Sequence, residues 1–217
     1  MRSADETAPP RRTRLTAEQR RESILDAATE VFAAAGYRAG KVSDVAASIG
    51  VSEPVVFQNF GSKEALYAAV LDRVAHGIRA EMRALGEQHG SAPDLLAHVL
   101  SPSPAGGPHG PGSHGVLFAD AATLLADPGL TEPARGAART LADHLADLLR
   151  RGQADGTIRP GVDPEAAAWL LLSVLSTRSW RAGAMPDPAR LEDDVVGLAL
   201  QALVPPAPAQ RPEHPAD

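Results

Sequence analysis

Apolar residues recur at three- and four-residue spacing along nearly the whole chain, and alternating runs of β-branched residues are missing. That pattern predicts helices, about nine of them, and few strands. The first is expected from Thr16, a capping residue, to Ala35, with Ile24, Ala28, Val31, Phe32 and Ala35 on one face and Gly36 as a left-handed stop. A short second helix, Val42 to Ile49, turns Val42, Val45, Ala46 and Ile49 inward. Gly50 breaks it, Ser52 starts a third, Gly61 ends that, and Ser62 caps a long fourth striped by Leu66, Val70, Val74, Ile78 and Met82.

Beyond Gly86 the texture changes. A short helix near Pro93 to Leu100 precedes Ser101 to Gly115, a Pro/Gly/Ser/His stretch expected to be a loop. Helices follow at Val116 to Ala126, Glu132 to Arg151, Asp163 to Arg181 and Asp187 to Val204. The expected division is a basic arm at 1–15, a three-helix unit at 16–61, a larger helical unit at 62–204 and a Pro-rich tail at 205–217.

Composition narrows the class. The 217 residues are 44% hydrophobic and 22% charged, as a globular protein requires. No cysteine is present, which excludes disulfides, thiolate zinc sites and cysteine nucleophiles. The strongest apolar run, Ala166 to Leu175, falls far short of the roughly 20 residues that span a bilayer, and the acidic N-terminus has no signal-peptide core. A cytoplasmic protein without membrane partners is expected. Net charge is −6, yet Arg11, Arg12, Arg14, Arg20 and Arg21 cluster near the start, a distribution that suits a modular DNA binder or a solvated tail.

No phosphate loop, nucleophile elbow, zinc-helix signature or paired-carboxylate cleft is found, so no enzyme and no cofactor are expected. His109 and His114 lack the acid or thiol companions of a metal site. What remains is Ala-Ser-Ile-Gly-Val-Ser between two short helices. A helix-turn-helix needs a small contact residue (Ala46), a turn (Gly50), a buried anchor (Val51) and an exposed second helix. A plain helical hairpin meets the same spacing.

The segment 24–71, ILDAATEVFAAAGYRAGKVSDVAASIGVSEPVVFQNFGSKEALYAAVL, resembles the N-terminal domain of the TetR family of bacterial repressors. The likeness rests on Ala27-Ala28, Phe32, Gly36-Tyr37, Val42, Asp44-Val45-Ala46, Gly50-Val51-Ser52, Phe57, Phe60 and Ser62-Lys63-Glu64-Ala65-Leu66. A looser echo is Gly156-Thr157-Ile158-Arg159-Pro160 before Asp163-Pro164-Glu165.

The resemblance implies an all-α fold with an N-terminal DNA-binding domain and a C-terminal ligand-binding and dimerisation domain. It further implies a palindromic double-stranded operator, a small-molecule effector and a homodimer. The third helix becomes the reading helix, with Ser52, Glu53, Pro54, Val55, Phe57 and Asn59 toward DNA and Val56 and Phe60 inward. Lys63 and the free amides beginning helix four would hold a phosphate. Ser43 would reach the backbone, and Arg12 and Arg14 the minor groove. Val55 and Phe57 stand where relatives often carry Thr and Tyr, and Glu53 would repel phosphate unless it meets cytosine N4.

Leu171, Val174 and Leu175, with Leu191, Val195, Leu198 and Ala202 at near-heptad spacing, are expected to pair two chains. Met82, His98, Phe118, Trp169 and Trp180 are candidate pocket lining, with His144 and Arg178 as polar anchors. Three readings stay open: a ligand-released repressor, a ligand-blind regulator or activator, and a helical interaction module.

Overall fold

The computed structural model describes residues 16–101 and 114–206. The expectations for Arg12, Arg14 and His109 lie outside that span. Ten helices run through the described residues, with no strand among them: α1 (Ala17–Ala39), α2 (Val42–Ser48), α3 (Glu53–Phe60), α4 (Lys63–His89), α5 (Ala92–Leu100), α6 (His114–Thr123), α7 (Thr131–Ala154), α8 (Pro164–Ser176), α9 (Arg178–Ala184) and α10 (Pro188–Leu203). None is long and apolar enough to cross a membrane.

Two expectations change. α1 does not stop at Gly36; it kinks there (φ 71°, ψ 174°) and resumes to Ala39. Only glycine takes that backbone easily. Arg20 and Arg21 sit near the start of α1. The helix expected at Asp163 to Arg181 is two, broken at Thr177. Three hydroxyls loosen that turn: Ser173 donates to Trp169 O, and Ser176 and Thr177 to Ser173 O.

Caps explain the starts. Thr16 and Gln19 form a reciprocal capping box on α1, and Ser62, Ser91, Asp163 and Asp187 each accept from an amide of the helix they begin. Ser52 is an exception: its hydroxyl makes no capping bond to α3 and stays exposed.

Two apolar cores form. One gathers α1, α2, α3 and the first half of α4 around Ile24, Phe32, Val45, Val56, Leu66 and Tyr67, and continues into Leu117 and Ala121 of α6, Leu124 just after it and Ala134 of α7. The other joins Met82 to α5, the second half of α7, α8 and α10. Ile78 of α4 packs against both. α4 is thus shared between the two cores.

Candidate nucleic-acid interface

α3 is eight residues long and its burial is one-sided. Val56 and Phe60 face the core, while Ser52, Glu53, Pro54, Phe57 and Gln58 are exposed. Phe57 retains 40% of its surface to solvent and is not part of the core. A large exposed apolar ring beside a free amide is what a base-reading surface offers: contact with a thymine methyl, and a two-point hydrogen bond to adenine. Gln58 was missed because the family likeness points to its neighbours; the helical spacing from Pro54 would have found it.

Two expected readers behave differently. Asn59 is half-buried, and its side-chain amide donates to Val55 O at 2.8 Å, so it turns back on its own helix. Val55 is half-buried at the margin of the exposed face. Behind α3, Arg21 of α1 lies 4.0 Å over the Phe60 ring and donates to Asn59 O at 2.6 Å. That cation satisfies a terminal carbonyl of α3 and fixes the helix on the core.

Ser43, at the start of α2, is half-buried, its hydroxyl 3.5 Å from the Asp44 carboxylate. Lys63 opens α4. Its ammonium lies 4.6 Å from the centre of the Tyr37 ring and 3.5 Å from Arg38 O. The α4 amides are less free than expected. Ser62 already accepts from Ala65 N. The Glu64 carboxyl is held below its ordinary value first by its own backbone amide, then by the Ser62 and Tyr37 hydroxyls. A phosphate at this end meets the Lys63 ammonium and a resident carboxylate.

Tyr37 joins these parts. Its hydroxyl donates to Glu64 at 2.9 Å, its amide to Asp120 of α6 at 2.7 Å, and burial with Glu64 beside it pushes the phenol up to about 12.

Between α4, α5, α6, α7 and α8 lies an apolar cavity of about 320 Å³. Met82, His98, Phe118 and Trp169 line it as expected, together with Ile78, Leu85, Leu141, Leu145 and Leu172. Three expected residues lie elsewhere. His144 lines a polar groove between α4 and α7 with Arg79, Arg83 and Arg151. Burial first, then those arginines, lowers its pKa. Trp180, on α9, is 73% exposed and lines neither space. Arg178 is buried and committed: it donates to Glu192 and to the carbonyls of Leu100 and Ser101. Its guanidinium ties α9 to α10 and to the end of α5, and it does not line the cavity.

Of the expected pairing residues, Leu171 is wholly buried in the second core and cannot reach another chain. Val174 and Leu175 are half-buried, Leu175 along the cavity. On α10, Leu191 and Val195 are half-exposed and Leu198 and Ala202 exposed, the first of these two by 67%.

An all-helical arrangement among the described residues, with a helix-turn-helix against one core and a cavity beside the other, is the architecture of a helix-turn-helix transcription regulator. Residues 24–70 match the family model of bacterial regulatory proteins of the tetR family. The regulatory protein RaaS of Mycobacterium tuberculosis is 31% identical over 173 residues, 79% of this chain and 69% of that one. The chain belongs to the TetR family of helix-turn-helix transcription regulators.

The activator FasR of Mycolicibacterium smegmatis is 43% identical, but over 77 residues, so the match spans about a third of each chain (34% and 35%). The fold also recurs in FadR of Bacillus subtilis, described in complex with stearoyl-CoA, at a TM-score of 0.58 and 19% identity over 83% of this chain and 98% of that one.

Proposed function

We propose that two copies of this chain bind a palindromic operator as a repressor and leave it when an apolar effector enters the cavity. The observation that carries the DNA reading is the exposed α3 face, where Phe57 and Gln58 stand over a helix fixed by buried Val56 and Phe60. Lys63, just past the turn, supplies the cation for the neighbouring phosphate.

Pairing is supported by the α10 stripe of Leu191, Val195, Leu198 and Ala202, which spaces an apolar surface at i, i+4, i+7 and i+11. A symmetric dimer covers such a stripe with its own copy and presents two reading helices to successive major grooves, about 34 Å apart. An effector is supported by the cavity, whose size and mainly apolar walls suit a small ligand. FadR, with the same fold, is described with an acyl-CoA bound. FasR is named an activator, and the sign of regulation is what a reporter reads directly.

A reporter promoter carrying a fragment selected by the purified protein tests this. Expression falls when the chain is supplied, and two chains occupy each fragment by light scattering. Raised expression makes the chain an activator; one chain per fragment ends the dimer reading.

A further inference from the structure

α6 has two working faces. Phe118, Ala121 and Ala122 line the cavity, while Asp120 points the other way, into the DNA-binding core. There one carboxylate oxygen accepts twice, from the Tyr37 amide at 2.7 Å and from the Tyr67 hydroxyl of α4 at 2.9 Å. The Tyr37 amide is available only because α1 kinks one residue earlier. A continuous helix would commit that N–H to a carbonyl four residues back. Gly36 also leaves the room: a Cβ there would stand 3.1 Å from the Asp120 carboxylate. Asp120 therefore caps the last turn of α1 from a different helix, 83 positions along the chain.

Tyr37 carries the contact onward. Its hydroxyl holds Glu64, and its ring underlies the Lys63 ammonium, the cation placed at the DNA backbone. We propose that Asp120 is the positioning residue that ties the cavity wall to the phosphate-holding end of α4, through Tyr37. This rests on the effector reading above. A ligand that shifts α6 must either carry the Tyr37 backbone with it or break a charge-assisted bond to a buried amide. Either course displaces the ring under Lys63. Coupling of this kind is reciprocal, so operator and cavity ligand change one another's affinity by the same factor.

The test uses the full chain, a selected operator fragment and the neutral apolar dye N-phenyl-1-naphthylamine as cavity probe. Operator affinity is measured with and without saturating dye, and dye affinity with and without operator. In the wild type the two ratios agree, at roughly 5- to 150-fold. Asp120→Ala brings both ratios to near one while dye binding alone is unchanged. Asp120→Leu, which fills the same space without an acceptor, leaves both ratios near one, whereas Asp120→Asn, which keeps an acceptor oxygen, restores most of the factor. Tyr67→Phe removes one of the two bonds and lowers the factor part-way; it decides the matter if Asp120→Ala fails to fold. Wild-type ratios in Asp120→Ala, or in Tyr67→Phe when it stands alone, overturn the inference. Ratios of one in the wild type itself overturn the effector reading, and the role of Asp120 falls with it.

Discussion

Arg178 of α9 donates to Glu192 of α10 across 2.8 Å, and both are buried. Arg181, one turn on, reaches the same carboxylate through two bonds at 2.6 and 2.8 Å. One carboxylate thus answers two guanidiniums, which also donate to the carbonyls of Leu100, Ser101 and Val174 and to the Thr177 hydroxyl. This cluster explains why the chain breaks at Thr177: the turn brings both arginines to one point and fastens α9 to α10 and to the end of α5.

Removing Glu192 leaves two buried cations without an anion. Glu192→Ala is expected to destabilise the fold by about 3–5 kcal/mol. Denaturant unfolding measures it, and a loss below about 1 kcal/mol would mean the arginines find water instead.

The same carboxylate sets an acid limit. Its two arginines hold the Glu192 pKa below the ordinary value, the hydrogen bond from Arg181 foremost. The unfolded chain therefore binds this proton more readily, and the stabilisation is complete above about pH 4.3, the unfolded value. It is lost as pH falls below that, through the lowered folded value. Unfolding curves at stepped pH should steepen there, and Glu192→Gln should flatten them.

His144 acts earlier on the same scale. Burial and the neighbouring Arg151, Arg79 and Arg83 lower its pKa, with Asp147 opposing. Stability is then full above about pH 6.5, the unfolded value, and declines as pH falls from there toward the folded one. His144→Gln should remove that decline between neutral pH and the onset of carboxylate loss. An unchanged slope would place the proton elsewhere.

Gly36→Ala forces a side chain into a backbone with φ of 71° and against the Asp120 carboxylate. A cost of about 1–3 kcal/mol is expected. Faster hydrogen exchange at Tyr37 would locate it; a neutral substitution would mean that α1 straightens without loss.

Local features were legible in the sequence. The glycines at 50 and 61, the caps at Thr16 and Ser62 and the inward spacing of Val42, Val45 and Ala46 act within a few residues, so the helix-turn-helix could be read directly. Asn59 misled because a family likeness assigns a position to the DNA face but says nothing about a side chain that bonds the carbonyl four residues back on its own helix. Arg178 misled for a similar reason: an arginine on an apolar helix suggests a ligand anchor until its partner, 14 residues away, is known. Asp120 was invisible, since nothing within its own helix marks a carboxylate whose amide partner lies 83 residues earlier.

The most direct test of α3 as the reading helix is selection of bound fragments from random duplex DNA by the wild type, Gln58→Ala and Lys63→Ala. A palindromic site should emerge for the wild type. Gln58→Ala should relax one position of each half-site by about 1–3 kcal/mol, whereas Lys63→Ala should weaken all sequences alike and lower the salt dependence by about one ion. If Gln58→Ala selects the same site with the same stringency, α3 does not read bases through this face, and the account fails at its centre.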